Sequence, residues 1–268
     1  MFFHFFRRII ERIIEMYFDT HAHYDDKRFA EDADELLKHV YEAGVTLVVN
    51  AACDEESSVA ALSLADRHDF VYAAVGVHPH DAKSMTENSI YALEKLAGHP
   101  KAVAIGETGL DYHYDNSPRD IQKKRFAEQL ELAQGLKMPV IIHEREACAD
   151  ALDIVSAFRG IKGVFHCFSG SWETAEILLD MGFYLSFTGV ITFKNARKSL
   201  EVIEKMPRDR LMIETDCPYL APEPYRGKRN SSLYLPFTAQ KVAEVLNISQ
   251  EEAALLTYEN GKRFFGIA

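Results

Sequence analysis

VIIHEREACADALDIVSAFRGIKGVFH, residues 140–166, contains one complete repeat of the pattern that decides the fold. A short apolar run (140–143) is followed by an amphipathic segment (146–158) and then by a second apolar run (163–166). Short apolar runs separated by helices of this length are typical of βαβ units, whose two strands join one parallel sheet. The stretch therefore predicts a strand, a helix and a second strand parallel to the first.

The same alternation recurs along the chain from residue 17 onwards. Eight strands are predicted, at 17–19, 46–50, 71–76, 102–106, 140–143, 163–166, 184–187 and 211–215. The helices predicted between them are 30–43, 57–68, 90–98, 120–136, 146–158, 172–181 and 195–205, and two more follow at 233–246 and 249–265. Eight βα units in one α/β chain predict a closed (β/α)8 TIM barrel with extra C-terminal helices, and a doubly wound open sheet is the alternative.

The chain divides into two parts by its sequence. No segment rich in Gly, Ser or Pro interrupts residues 17–268, which we expect to form one barrel domain. Residues 1–16 (MFFHFFRRIIERIIEM) are an N-terminal extension whose isoleucines recur at helical spacing, so a short helix is predicted there. The extension either packs against the barrel or is an over-extended start before Met16. An interfacial membrane helix is disfavoured because Glu11 and Glu15 dilute its basic face.

Composition and charge limit the class of protein. With 268 residues, 47% hydrophobic and 26% charged, the chain has the composition of a globular enzyme with an ample core. A formal net charge of -11 argues against binding nucleic acid through a large basic surface. It does not exclude a nuclease, because bound divalent cations would supply positive charge where the phosphate lies.

The cysteines and the apolar runs indicate the compartment. The four cysteines form no Cys-x-x-Cys pair, which is typical of reduced, cytosolic thiols. No apolar run is long enough to span a bilayer. We therefore expect a cytoplasmic protein that binds no membrane, and a monomer is the simplest expectation for its oligomeric state.

Histidines are concentrated where the predicted strands end. Six of the eleven close or follow a strand: His21, His23, His78, His80, His143 and His166. Active sites of barrels are built at the C-terminal ends of the strands, so these side chains are expected to converge. In the segment His-Ala-His (21–23), side chains at i and i+2 of an extended chain point the same way, so both imidazoles can face one metal.

Carboxylates are predicted at the same end of the barrel. Glu107 follows strand four and Asp216 follows strand eight. Two carboxylates with four imidazoles are the ligand mixture expected for pairs of Zn, Mn or Mg ions, and the sequence does not choose among these metals. Glu107 could bridge two ions, and Asp216 could bind one ion and act as the general base.

Three further residues close to these positions have two interpretations each. Glu214 either orients a ligand histidine or belongs to the inner polar layer of the barrel. Cys167 and Cys217 each follow a proposed ligand, and we expect them to pack in the interior rather than bind metal.

Seven blocks of the sequence, in this order, are distinctive: FDTHAH (18–23), GVHPH (76–80), IGETGLDY (105–112), PVIIHER (139–145), HCFSG (166–170), ETDCPYL (214–220) and RGKRN (226–230). Together they resemble the TatD-type deoxyribonucleases, a branch of the metal-dependent hydrolases built on amidohydrolase-like barrels. The likeness covers almost the whole chain after Met16. Family members often have Glu-Pro after the last block, whereas this chain has Ser231-Ser232, so the conformation of that loop is expected to differ more than the chemistry.

The resemblance implies a two-metal phosphodiesterase that acts on DNA. It places the metal ligands on the same six residues that end the strands: His21, His23, Glu107, His143, His166 and Asp216. It also implies that His78 and His80 lie near the scissile phosphate, with Arg145 and Arg226 as candidate anion contacts. Arg145 could equally pair with an acid at the end of the barrel.

The loops after the strands contain residues suited to a nucleic-acid partner. Basic residues cluster after strands seven and eight: Lys194, Arg197, Lys198, Arg226, Lys228 and Arg229. Aromatic residues in the same set of loops could stack on bases, as in proteins that bind single strands: Tyr112, Tyr114, Phe193, Tyr219 and Tyr225. Any one of these residues could instead be a solvated lysine or a packed loop side chain.

Three hypotheses for the function follow. The first is hydrolysis of phosphodiester bonds in DNA, single-stranded and from an end, with two divalent ions as cofactors. The second keeps the barrel and the metals but takes an amide, a lactone or a small phosphoester as substrate; Glu107 stands where such sites often have a carboxylated lysine, which favours the nuclease branch. The third is a metal-stabilised scaffold, which six candidate ligands disfavour because structural sites close with fewer.

Overall fold

The computed structural model describes residues 16–268, so the helix predicted in the N-terminal extension lies outside the described residues. Eight parallel strands form one sheet in which each strand pairs with its neighbours in the chain. They are β1 (Tyr17–Ala22), β2 (Val45–Ala51), β3 (Val71–Val75), β4 (Ala102–Asp111), β5 (Val140–Arg145), β6 (Gly163–Phe165), β7 (Tyr184–Phe187) and β8 (Leu211–Ile213).

The sheet closes where the segment after β8 meets β1. Ala22 and Cys217 form a parallel bridge. The His23 amide donates to the Cys217 carbonyl at 2.8 Å, and the Asp216 amide donates to the His21 carbonyl at 2.9 Å. The predicted TIM barrel is therefore confirmed, and the open sheet is not formed.

Nine α-helices lie within residues 16–268, seven after successive strands and two at the C-terminus. They are α1 (Ala33–Glu42), α2 (Glu55–Arg67), α3 (Ser89–Ala97), α4 (Arg119–Leu136), α5 (Cys148–Ser156), α6 (Trp172–Asp180), α7 (Arg197–Lys205), α8 (Leu235–Leu246) and α9 (Gln250–Phe265). α9 begins with a capping box, since the Ser249 hydroxyl accepts from the Glu252 amide and the Glu252 side chain accepts from the Ser249 amide. In this described part of the chain, no helix is long and apolar enough to cross a membrane.

The core has two layers because strands of a parallel barrel are buried on both faces. The larger layer lies between the strands and the surrounding helices. The smaller layer fills the barrel, where alternate residues of β2 (Leu47, Val49) pack with aromatic residues of α9 such as Phe264. A Cβ on Gly261 would lie 2.6 Å from the ring of Phe18, so glycine allows α9 to approach the start of β1. This packing closes one end of the barrel interior and leaves the other end for the site.

Four strands are longer than the sequence predicts: β2 gains one residue at each end, β5 gains two residues at its C-terminal end, and β1 and β4 gain more. β1 continues to Ala22, and β4 continues past Gly106 to Asp111 because it stays paired with β5, Gly109 opposite His143 and Asp111 opposite Arg145. Gly109 has a φ of 144°, and a Cβ there would lie 2.0 Å from the His143 carbonyl oxygen. The glycines of β4 therefore permit close strand pairing where the sequence indicates the end of a strand.

Candidate metal centre

The six predicted metal ligands lie together at the C-terminal ends of the strands. Four of them are buried, whereas His143 and Asp216 are partly exposed. Three of them lie within strands: His21 in β1, Glu107 in β4 and His143 in β5. The other three directly follow strands: His23 after β1, His166 after β6 and Asp216 after β8.

Glu107 lies at the centre of this cluster, and its two oxygens face different histidines. Oε1 is 2.8 Å from His143 Nδ1 and 2.8 Å from His166 Nε2. Oε2 is 3.2 Å from His21 Nε2 and 3.7 Å from His23 Nε2. The carboxylate therefore joins two groups of nitrogen donors.

Asp216 completes the group on the Oε2 side of Glu107. Its Oδ1 is 3.2 Å from His23 Nε2 and 3.7 Å from His21 Nε2. Asp216 has a φ of 55°, a turn that directly follows the closure of the barrel. Its side chain is 15% exposed against 4% for Glu107, so Asp216 is the carboxylate of the pair that water reaches more readily.

Hydrogen bonds at the outer nitrogens fix the tautomers of three histidines. His23 Nδ1 lies 2.7 Å from the Ala51 carbonyl oxygen, which can only accept, so Nδ1 carries the proton. His166 Nδ1 donates to Glu214 Oε1 at 3.2 Å. The inner nitrogen, Nε2 in both residues, then presents a lone pair to the cluster. Metal-binding histidines are commonly oriented in this way by an outer acceptor.

Glu214 is therefore a positioning residue, the first of the two interpretations given for it. Besides His166 it accepts a hydrogen bond from the Cys167 amide at 2.7 Å and one from the Ser186 hydroxyl at 2.6 Å. Cys217 is fully buried in the core, and the Cys167 thiol lies 3.7 Å from the Thr188 hydroxyl. These contacts agree with packing roles for both thiols.

Asp111 orients the third histidine, and the sequence analysis did not select it. Its Oδ2 accepts from His143 Nε2 at 3.1 Å and from His80 Nε2 at 2.9 Å. Its Oδ1 accepts from the amides of His113 at 3.0 Å and Tyr114 at 2.9 Å. A signal existed: residues 107 and 111 of an extended strand lie on the same face. Because Asp111 holds Nε2–H of His143, the lone pair of His143 Nδ1 faces Glu107.

These tautomers bring acceptor atoms against acceptor atoms. His143 Nδ1 and His166 Nε2 both face Glu107 Oε1 at 2.8 Å, and His23 Nε2 faces Asp216 Oδ1 at 3.2 Å. Such contacts are repulsive unless a cation lies among them, either a proton or a metal ion. Imidazole and carboxylate donors fit Zn, Mn, Fe or Mg, and the set therefore fits a divalent metal centre.

The carboxylates of the cluster are ionised at neutral pH. Burial alone would raise the pKa of Glu107, but the charge of His166 and the hydrogen bond from His143 lower it well below its ordinary range. Burial would also raise the pKa of Asp216, yet His23 and His21 lower it. Both groups are thus prepared to bind cations.

The histidines compete for protons in the metal-free protein. Burial alone would lower the pKa of His166, but Glu107 and Glu214 raise it well above its ordinary value. The pKa of His143 is raised as well, since hydrogen bonds to Asp111 and Glu107 outweigh its burial. A metal ion bound at these nitrogens must displace protons, which couples metal binding to pH.

His78 differs from the ligand histidines in its tautomer. The His80 amide donates to His78 Nδ1 at 3.1 Å, so the proton of a neutral His78 is on Nε2. That Nε2 lies 3.4 Å from Glu107 Oε1. Burial lowers the pKa of His78 to about 4, which keeps the ring neutral. Although His78 could form a metal-binding group with Glu107 and His143 by distance alone, its tautomer makes it a hydrogen-bond donor.

A buried network supports the segment that carries Asp216. Asp19 accepts from the Thr215 amide at 2.9 Å and from the Ser232 hydroxyl at 2.6 Å, and burial raises its pKa to about 6. Asn230 donates to the Thr215 carbonyl at 2.9 Å. Ser232, one of the two residues that depart from the family pattern, thus anchors this loop to β1.

The candidate anion contacts are exposed, Arg145 at the end of β5 and Arg226 in the segment after β8. The guanidinium of Arg145 lies 4.9 Å from the ring centre of Tyr114, and that of Arg226 lies 4.5 Å from the ring centre of Phe193. Within residues 16–268 neither arginine has a carboxylate at ion-pair distance, so the ion pair considered for Arg145 is not formed there. Arg229, by contrast, pairs with Asp32 at 2.5 Å.

The chain is similar to known proteins over almost its whole length. Residues 18–266 match the family described as TatD related DNase. The chain is 44% identical to the uncharacterized metal-dependent hydrolase YabD of Bacillus subtilis, over 94% of this chain and 100% of that protein. It is 34% identical to the 3'-5' ssDNA/RNA exonuclease TatD of Erwinia tasmaniensis, over 93% and 100% of the two chains. The crystal structure of YJJV, a TatD homologue of Escherichia coli, has a TM-score of 0.89 and 29% identity, covering 95% of this chain and 100% of its own.

Proposed function

Because this chain belongs to the TatD related DNase family and is a metal-dependent hydrolase, we propose that it hydrolyses phosphodiester bonds of single-stranded DNA from an end, at a centre of two divalent metal ions. The observation that carries the proposal is the convergence of imidazole lone pairs and carboxylate oxygens on Glu107. The name of the Erwinia tasmaniensis relative, a single-strand exonuclease, supports the choice of substrate.

The two oxygens of Glu107 divide the donors into two sets. On the Oε2 side are His21, His23 and Asp216, and on the Oε1 side are His143 and His166. Each set would hold one divalent ion, and the carboxylate of Glu107 would be available to both. When bound, divalent ions act as Lewis acids that acidify water and neutralise charge on a phosphodiester.

Asp216 is the general base of the proposed reaction. It is ionised, it is more exposed than Glu107, and it lies at the edge of the cluster where water enters. Its carboxylate accepts the proton of the attacking water as the oxygen bonds to phosphorus, the P–O bond to the departing nucleotide breaks, and the leaving oxygen takes a proton from solvent. Glu107 is buried among histidines and holds its charge in place, which suits a bridging ligand rather than a proton carrier.

His78 contributes a hydrogen-bond donor to the reacting phosphate. Its Nδ1 is occupied by the His80 amide, so Nε2–H is the group that faces the site. A fixed donor beside a phosphoryl oxygen stabilises the charge that develops in the transition state. His80 is tied to Asp111 through Nε2, so only its Nδ1 remains for substrate.

Arg145 and Arg226 are the proposed contacts for the rest of the phosphate backbone. Both are exposed, and within the described part of the chain neither is neutralised by a carboxylate. Positive side chains at the opening of the site would steer a phosphate strand inwards on a protein that is acidic as a whole.

The test is a nuclease assay with end-labelled single and double strands and a series of metals (Mg, Mn, Zn, Co). We expect nucleotides to be released stepwise from single strands, with complete loss in EDTA and a loss of at least ~100-fold in Asp216→Asn. Asp209→Asn is the matched control, since Asp209 is exposed and, among residues 16–268, its ion pair is with the neighbouring Arg210. Metal-loaded protein that leaves DNA intact but hydrolyses amides or lactones would replace the proposal with the second hypothesis.

A further inference from the structure

Two exposed tyrosines stand beside the metal centre. Seven large hydrophobic side chains are exposed among residues 16–268, and two of them, Tyr114 (56%) and Tyr219 (47%), have ring contacts with histidines of the site. Because these two rings are exposed and contact histidines of the site, they are within reach of a ligand bound there.

Tyr219 adjoins the set of donors on the Glu107 Oε2 side. Its ring centre is 6.3 Å from that of His23, with the planes at 80°. The Arg28 guanidinium lies 4.0 Å from the ring centre, and the Tyr219 hydroxyl donates to Asp26 at 3.3 Å. Asp26 also binds the Arg28 side chain through two hydrogen bonds of 2.8 and 2.9 Å. The ring is therefore held in one orientation before any ligand binds.

Tyr114 lies near the other set of donors, on the Glu107 Oε1 side. Its ring centre is 5.3 Å from that of His80, with the planes at 88°, and the Arg145 guanidinium lies 4.9 Å away. The Tyr114 amide donates to Asp111, which also binds His143 on the Glu107 Oε1 side. The backbone that carries this ring is thus fixed to the residue that orients a proposed ligand.

The other three aromatic residues predicted to stack on bases have other partners. Tyr112 donates to Asp150 and lies under the Arg119 guanidinium. Tyr225 is stacked on Tyr234 at 4.3 Å, with the planes at 9°. Phe193 is partly buried beneath Arg226. Of the five, Tyr114 and Tyr219 are the two with exposed rings.

We propose that Tyr114 and Tyr219 are stacking platforms for nucleobases on the two sides of the scissile phosphate, an inference that rests on the proposed function. A phosphate bound at the shared carboxylate Glu107 would place one nucleotide towards each ring, because the rings lie beyond opposite donor sets. Stacking on an aromatic face tolerates every base, which suits an enzyme that degrades DNA of any sequence. The guanidinium beside each ring adds a cation that favours a stacked, electron-rich base.

The test combines protein variants with substrates that lack a base. The substrates are normal single strands and single strands with a tetrahydrofuran abasic site at the terminal or the penultimate position. The variants are Tyr114→Ala, Tyr219→Ala and, as a control, Tyr91→Ala. Tyr91 lies in α3, and its side chain is 71% exposed. Each platform variant should raise KM about tenfold on normal DNA, equivalent to about 1.4 kcal/mol. Each should lose that effect when the base facing its ring is absent. The metal content of each variant should equal that of the wild type, whereas a variant with a disrupted fold would lose metal.

The outcomes separate this inference from the function on which it rests. Wild-type protein that cleaves no DNA would overturn both. Wild-type protein that cleaves DNA while the platform variants keep the KM of Tyr91→Ala would overturn the platforms alone. Additive effects of ring removal and base removal would also overturn them, because a direct contact requires the two losses to overlap.

Discussion

Replacing Asp111 by asparagine tests whether hydrogen bonds to the outer nitrogens of the histidines orient them for metal binding. Asp111 Oδ2 accepts two imidazole protons, at 3.1 Å from His143 and 2.9 Å from His80, while Oδ1 accepts two backbone amides. Asparagine has one acceptor oxygen. If that oxygen stays with the amides, the new –NH2 group faces two N–H donors, and His143 must move its proton to Nδ1, the nitrogen that faces Glu107.

The expected size of the effect follows from the lost contacts. A hydrogen bond to a charged group contributes about 1.5–3 kcal/mol, and outer partners of ligand histidines typically change metal affinity by about 10–100-fold. We expect Asp111→Asn to weaken binding of the ion on the His143 side by an amount near the upper end of that range. The ion on the His21 side should be affected less, since its ligands do not contact Asp111.

The assay is calorimetric titration of metal-free protein with Mn or Co, with thermal unfolding measured in parallel. Asp115→Asn is the matched control: Asp115 lies in the loop that follows Asp111, is exposed, and pairs with Arg119 at 2.6 Å. Its φ of 49° is one that asparagine adopts readily. Equal metal affinity in Asp111→Asn, Asp115→Asn and the wild type would refute the reasoning.

Three further predictions address other parts of the account. His78→Gln should lower kcat by roughly 100-fold without changing the metal content measured by mass spectrometry, and loss of metal would make His78 a ligand instead. Gly109→Ala should destabilise the fold by roughly 3 kcal/mol or more in urea unfolding, because the added Cβ would lie 2.0 Å from a carbonyl oxygen. Gly135→Ala is the control and should not destabilise it, since a Cβ at that helical position would meet nothing within 4 Å outside its own helix. Metal affinity should rise with pH, because the raised pKa values of His143 and His166 mean that protons bound there must leave before a metal ion binds. Calorimetric titrations in buffers of different ionisation enthalpy should detect the released protons. A metal affinity that does not change with pH would contradict this prediction.

The sequence predicted the barrel because its signal is local and repeated. A strand and a helix alternate eight times, and each strand pairs with its neighbours in the chain, so no long-range information was needed. The exception was the length of β4. Gly106 and Gly109 indicate the end of a strand by propensity, but tertiary pairing with β5 overrides that preference.

The convergence of the six candidate ligands was predictable because their positions on the strands fix where they meet. The hydrogen bonds that orient them were not. Asp111 and His143 are 32 residues apart and Glu214 and His166 are 48 apart, and no spacing in the sequence relates such pairs. The same limit applies to the aromatic residues. Tyr114 is exposed whereas Tyr225 is stacked on Tyr234, and this difference depends on the folded conformation of the loops, which the sequence does not show.

The central claim is a pair of metal ions that share Glu107, and anomalous diffraction tests it most directly. Crystals of the Mn-loaded protein, measured at the Mn absorption edge, should show two peaks per chain, one beside His21, His23 and Asp216 and one beside His143 and His166. Both peaks should lie within bonding distance of the Glu107 carboxylate. A single peak, or two peaks of which either makes no contact with Glu107, would contradict the account.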